Sequence, residues 1–190
     1  MPMDGVLLNR ITDNLNRACP LKINRINQPT KTDFIFQTFG TEKQRLLISM
    51  HPVHSRIHFT NSKTISNLEL THFLGILRKY LDGGIINEVK QRGMDRIITF
   101  LITNRDEIGI VHHYKLIVEL LGRNANLILL DDHDQVIDAF KRIGGFDTIK
   151  RAIVTGAQYE YPNALDKKHI TKLKTKDKFD SVRQNFEGVS

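Results

Sequence analysis

Two short segments carry side chains that could recognise an anion or a base. Gly93-Met94-Asp95-Arg96 leads into an apolar run, so a carboxylate and a guanidinium stand side by side where a turn meets a strand. Arginine offers a planar fork to phosphate or to a base edge; the aspartate can accept from a base amino group or hold the arginine in place. The ordinary alternative is an ion pair that closes the turn. The second segment is Tyr114 to Leu121. One face takes Tyr114, Leu116, Val118 and Leu120; the other takes Lys115, Ile117, Glu119 and Leu121. Glu119 thus lies between apolar neighbours, where a carboxylate needs a cation or backbone donors. Arg123 and Arg96 are the expected partners. A polar site beneath the sheet and a buried structural ion pair both fit this pattern.

Other chemistry is less supported. His51, His54 and His58 suggest a metal, but Pro52 and the β-like Arg56-Ile57-His58-Phe59 break helical spacing, and no acidic residue stands nearby. No metal is expected. Pro2 could become an N-terminal secondary amine, yet only Asp4 lies near it in sequence. No Walker loop, Gly-x-Gly-x-x-Gly, Gly-x-Ser-x-Gly or metalloprotease helix is present, and no catalytic centre or cofactor is expected.

These residues need elements to position them. Leu7, Ile11, Leu15 and Ala18 predict a helix with Asp4 as N-cap and Pro20 at its close. Strands are expected at Lys22–Asn27 and through Phe34, Ile35, Phe36 and Phe39. A turn at Gly40-Thr41-Glu42-Lys43 leads to Leu46-Leu47-Ile48, and Ile57-His58-Phe59 follows. A second helix is expected from Ser66, with Glu69 completing a capping box and Leu70, Phe73, Leu74, Leu77 and Leu81 as its apolar stripe. Arg78 and Lys79 suit its last turn, and Gly83-Gly84 end it. Strands then read at Ile85–Lys90, Arg96–Thr103, His113–Leu121, Asn126–Leu130 and Val136–Phe140. Such short spacings favour hairpins over βαβ units. The expected fold is α+β, mostly antiparallel sheet with two main helices.

The chain has 190 residues, 40% hydrophobic and 26% charged, which excludes wholesale disorder and allows a sizeable core. Its apolar runs are far too short to span a bilayer, and its first ten residues do not read as a secretory signal. The single Cys19 excludes an internal disulfide, which fits a cytoplasmic setting. The net charge of +7 favours an acidic partner such as nucleic acid. Residues 163–178 read as a basic linker. Phe179, Val182, Phe186 and Val189 then recur at helical spacing, as the start of a following helical domain whose core is missing. The chain is expected to be a piece of a longer protein, with its first domain spanning 1–162.

Several segments together resemble a known family. They are Met3-Asp4-Gly5; Lys22-Ile23-Asn24-Arg25-Ile26-Asn27-Gln28-Pro29; His51-Pro52 with Arg56; and Leu77-Arg78-Lys79-Tyr80-Leu81-Asp82-Gly83-Gly84. Gly93-Met94-Asp95-Arg96-Ile97, Glu119-Leu120-Leu121-Gly122-Arg123, and Arg151, Gly156 and Tyr159 complete the set. In this order they resemble the N-terminal NFACT domain of the bacterial RqcH proteins, also called fibronectin-binding protein A.

The resemblance implies a β-rich fold like the N-terminal domain of formamidopyrimidine-DNA glycosylases, without the catalytic set of those enzymes. It implies tRNA recognition through Asp4, Asp95 and Arg96, with Glu119 and Arg123 in support. Whole family members bind large ribosomal subunits that carry an obstructed nascent chain and its peptidyl-tRNA. They recruit alanyl-tRNA there for alanine tailing of that chain. A second activity attached to the family is adhesion, by binding fibronectin or fibrinogen at the surface of Gram-positive bacteria; no membrane insertion is implied. This sequence departs from the family at Asn124 and Ala125, which inherit no role, and at Val154-Thr155-Gly156.

Overall fold

The computed structural model describes residues 3–61, 70–144 and 151–162. Pro2, the Ser66–Glu69 capping box, the 163–178 linker and the helix expected from Phe179 to Val189 lie outside the described residues. The elements in chain order are α1 (Gly5–Ala18), β1 (Leu21–Asn27), β2 (Asp33–Phe39), β3 (Lys43–Ser49) and β4 (Arg56–Phe59). They continue with α2 (His72–Leu81), β5 (Ile85–Gln91), β6 (Ile97–Arg105), β7 (Val111–Glu119), β8 (Asn126–Leu130) and β9 (Val136–Ala139). The strands form one sheet in the order β4-β3-β2-β1-β5-β6-β7-β8-β9, antiparallel at every pairing. This is the expected α+β fold with two helices.

Both helices pack on one main core. Leu8 and Leu15 of α1, and Phe73, Leu74, Leu77 and Leu81 of α2, meet residues from eight of the strands' inner faces, such as Ile23, Phe36, Phe100, Leu116 and Leu127. A second, smaller core lies on the other face of β6–β9, where Ile97, Ile117, Ile128 and Leu130 are covered by Ile153 and Tyr159. The alternation of β7 therefore serves two cores: Leu116 and Val118 face one, Ile117 the other.

Three expectations shift in detail. In α1 the buried face is Leu8, Thr12 and Leu15, while Leu7 is 49% exposed. The stripe turns by one residue because Thr12 can be buried: its Oγ1 donates to the Leu8 carbonyl at 2.9 Å. Helix α2 starts at His72 rather than near Ser66, and Leu70 is exposed. Thr71 is its cap, with Oγ1 accepting from the Leu74 N–H at 3.2 Å and donating to Gln28 Oε1 at 2.6 Å. Strand β7 begins two residues early and ends at Glu119, because Arg105 already pairs with Val111. Asp106 makes that tight hairpin possible, its Oδ1 accepting from the Ile108 and Ile110 N–H groups.

The centre of the sheet rests on a short overlap. β1 and β5 are antiparallel and meet only at their N-terminal ends, Leu21↔Ile86 and Lys22↔Ile85, with Ile23 bonded onward to Gly83 and Gly84, so each strand runs on beyond the start of the other. Each such edge is met by side chains of a helix or its cap. On β5, the Asn16 amide donates to the Val89 carbonyl at 2.6 Å and accepts from the Val89 N–H at 2.7 Å, imitating a strand. On β1, Arg78 Nε donates to the Ile26 carbonyl at 2.7 Å and Asp82 Oδ1 accepts from the Ile26 N–H at 3.0 Å. Burial pushes the Asp82 carboxyl above its ordinary range, against the pull of Arg25, the Ile26 N–H and Arg78. Asn16→Ala removes both partners of the Val89 backbone. It should cost about 1–3 kcal/mol in urea denaturation, without loss of the far-UV circular dichroism signature of the fold.

Candidate nucleic-acid interface

Asp4 caps α1. Its backbone is extended, and its Oδ1 accepts from the Leu7 N–H at 2.8 Å, as the sequence predicts. The β5–β6 turn closes when the Arg92 N–H donates to the Ile97 carbonyl at 3.0 Å and the Asp95 N–H donates to the Arg92 carbonyl at 2.9 Å. Gly93 takes φ +53°, a left-handed conformation that a glycine adopts without steric cost. Asp95 Oδ1 then accepts from the Arg96 N–H at 2.8 Å. The carboxylate thus shapes the turn, and the pairing is with the Arg96 backbone rather than with its guanidinium. The half-buried Arg96 side chain has no hydrogen bond or ion pair among the described residues.

These two features come from opposite ends of the first half of the chain, and one side chain joins them. Gln91 Nε2 donates to the Gly5 carbonyl at 2.9 Å and to the Asp95 carbonyl at 2.8 Å. The first turn of α1 and the Asp95 turn therefore sit on a single amide nitrogen, which brings the residue before that helix, Asp4, into the neighbourhood of Asp95 and Arg96. The amide orientation is fixed, since the reverse would aim its oxygen at two carbonyls. Sequence reasoning missed Gln91, because a glutamine at the end of a strand carries no pattern that sets it apart.

Glu119 lies directly behind this turn. It pairs with Ile97 across β6 and β7, and the Leu120 N–H donates to the Arg96 carbonyl at 2.8 Å. Its carboxylate is 1% exposed and points into the smaller core. The expected partners, Arg123 and Arg96, do not hold it. Arg151 does, with Nη1 donating to Oε2 at 3.1 Å and Nη2 donating to Oε1. The Tyr159 hydroxyl adds a third bond to Oε1 at 2.8 Å. Burial, followed by the charge of Glu119, pushes the Tyr159 hydroxyl far above its ordinary range, so it stays a donor.

Arg123 stands exposed in the short 3-10 turn Gly122–Asn124, where Gly122 has φ +62°. That reversal carries the chain out of β7 and away from the smaller core; among the described residues only the Arg123 carbonyl is engaged, by Lys141 Nζ at 2.9 Å. Arg151 was available in the sequence only as part of a basic stretch and a family motif. Its partner is 32 residues distant, beyond any local periodicity.

The histidines take local roles. His51 and His54 stack at 5.3 Å between ring centroids, and His51 Nδ1 accepts from the Val53 and His54 N–H groups. Burial, with Arg56 nearby, holds His58 below its ordinary pKa. Among the described residues, the group of close carboxylate and imidazole atoms is Asp131, Asp132 and His133, on the surface. Two of its oxygens already serve a turn and an ion pair there.

The chain belongs to the NFACT family: residues 4–189 match its N-terminal and middle domains. A similar protein is the Rqc2 homolog RqcH of Bacillus subtilis (strain 168), 38% identical over 170 residues, covering 88% of this chain and 30% of that protein. Another is the Rqc2 homolog RqcH of Streptococcus suis (strain 05ZYH33), 36% identical over 165 residues, covering 85% of this chain and 30% of that protein. The chain thus spans about 30% of the length of these curated relatives. Among solved structures, the N-terminal part of the fibronectin/fibrinogen-binding protein from Streptococcus suis has a TM-score of 0.92 at 30% identity. It covers 98% of this chain and 75% of that one.

Glu119→Gln leaves the Arg151 guanidinium, itself 17% exposed, without a full counter-charge. It should lower the melting temperature and cost about 3–5 kcal/mol in denaturant titration. Adding Arg151→Met should recover part of that loss, so that the double variant loses less than the two single variants combined.

Proposed function

We propose that this chain is the tRNA-recognition module of a ribosome-associated quality-control factor. Asp4, Asp95 and Arg96 form the contact surface. The observation that carries this reading is the Gln91 amide, which gathers the α1 start and the Asp95 turn beside an Arg96 guanidinium with no protein partner among the described residues. An unpaired guanidinium beside a fixed turn is suited to a phosphate or a base edge. Each aspartate commits its Oδ1 to a backbone N–H, which holds the other oxygen in place to accept from a ligand. The net charge of +7 supports a polyanionic partner. The similarity to proteins named Rqc2 homolog RqcH supports the ribosomal setting.

In the whole protein, this module would help recruit alanyl-tRNA to obstructed large ribosomal subunits for alanine tailing of the nascent chain, in the cytoplasm. Its part is binding, with no catalytic residue and no cofactor assigned. Among the described residues, no helix is long and apolar enough to cross a membrane. Glu119 acts from behind, fixing β7 under the Arg96 carbonyl. Arg123, exposed beyond the end of β7, is a secondary phosphate contact at most in this reading.

Adhesion is the second reading, favoured by one observation: the similar solved structure is named for fibronectin and fibrinogen binding. The two readings separate by salt and by one side chain. Binding of tRNA to the 190-residue chain should weaken steeply across a salt series. Arg96→Ala should weaken it by roughly tenfold or more, and Arg96→Lys should restore it only in part. Parent-like tRNA binding by Arg96→Ala, with fibronectin binding retained, would favour the adhesin.

A further inference from the structure

The turn that presents Arg96 has a second arginine at its other end. Arg92 and Arg96 bracket Gly93-Met94-Asp95, and Arg92 reaches to the last described residues of the chain. Its guanidinium lies 4.4 Å from the ring centre of Tyr161, and its Nη1 donates to the Pro162 carbonyl at 3.1 Å. Tyr159 meets Tyr161 edge-on, with ring centres 5.1 Å apart and planes at 77°. Tyr159 is in turn fixed by its hydroxyl bond to Glu119, with Arg151 against its ring at 4.9 Å. A ladder of guanidinium and ring planes thus runs from the buried carboxylate out to the surface beside the Asp95 turn.

Two properties of its outer end point to a ligand. Tyr161 remains 42% exposed although Arg92 and Tyr159 both hold it. Its ring is therefore presented in a fixed pose, and little side-chain freedom remains to be lost on binding. Arg92 is engaged by a ring and a carbonyl, and no carboxylate neutralises it among the described residues. A fixed aromatic plane held by an uncompensated guanidinium, on a turn that carries a second one at Arg96, is the combination that holds single-stranded nucleic acid: the ring stacks a base and the cations take the phosphates. Bases inside a duplex are already stacked on one another, so the ring can receive only an unpaired one.

We infer that Tyr161, braced by Arg92, is a stacking platform for an unpaired base of the RNA that Arg96 engages. This extends the proposed recognition site and rests on that reading. The sequence contains no tryptophan, so Tyr161→Trp places a lone indole at the platform. Its fluorescence should be quenched by tRNA with the same midpoint that a filter-binding titration gives. A short single-stranded RNA should quench it too, and the same sequence as a blunt duplex should not. Tyr161→Ala should weaken tRNA binding about tenfold, whereas Tyr161→Phe, which keeps the ring, should stay within about twofold of the parent.

If the parent binds tRNA and Arg96→Ala weakens it, but Tyr161→Ala binds like the parent, the platform is refuted and the Arg96 site stands. If the parent binds no tRNA, both fall. Should Tyr161→Ala fail to fold by circular dichroism, the indole decides: an unquenched Tyr161→Trp protein with bound tRNA overturns the platform.

Discussion

The structure depends on the short overlap between β1 and β5 at the middle of the sheet. The two strands meet only at their N-terminal ends, so most of the facing edge of each extends beyond the other and has no strand beside it. Buried backbone groups without partners are costly, at about 1–3 kcal/mol each, so those edges must be met by polar side chains. Asn16 does this for Val89, and Arg78 with Asp82 does it for Ile26. These side chains belong to α1, to α2 and to the residue that caps α2, so the same bonds that cover the strand edges also fix where both helices lie. Asn16 holds α1 near its C-terminal end and Gln91 holds its first turn, next to the Asp4 cap.

The second constraint is the carboxylate of Glu119. It lies in an apolar core, where removing an ion from water is expensive and the cost is offset only by full hydrogen bonding. Arg151 and Tyr159 provide that, and both arrive on the segment 151–162, which has little regular structure of its own. The ion pair therefore does more than satisfy a charge. It pins a loosely patterned segment across the outer face of β6–β9, where Ile153 and Tyr159 complete the smaller core. Because Glu119 pairs with Ile97 and Leu120 holds the Arg96 carbonyl, this pinning also stiffens the start of β6 under the candidate interface.

The candidate interface is thus a by-product of two structural necessities that meet beside the Asp95 turn. One is the seating of α1 on the edge of β5; the other is the closure of the smaller core behind β7. Charge is spent differently on the two sides. Glu119 and Arg151 neutralise each other inside, while Arg96 and Arg92 at the surface keep their positive charge uncompensated by carboxylates among the described residues. A fold that pairs its buried ions and leaves these cations open directs its positive field outwards.

Local regularities were legible in the sequence alone. The period of two in β7 revealed that it separates two apolar faces, the Asp4 cap and the Gly40–Lys43 turn were correctly placed, and short spacings gave the antiparallel sheet. Family motifs brought Asp4, Asp95 and Arg96 to notice. What the sequence misjudged were choices between near neighbours. The buried stripe of α1 turned by one residue because Thr12 could bond to its own helix, and α2 was capped by Thr71 because Gln28 was there to receive its hydroxyl. The partner of Glu119 was beyond sequence reasoning for a different reason. Arg123 is four residues away along the chain and Arg151 is 32, but the turn at Gly122 carries the first outwards while the chain's return across β6–β9 brings the second to the carboxylate. Periodicity reports which face a residue occupies; only the path of the whole chain decides what it meets there.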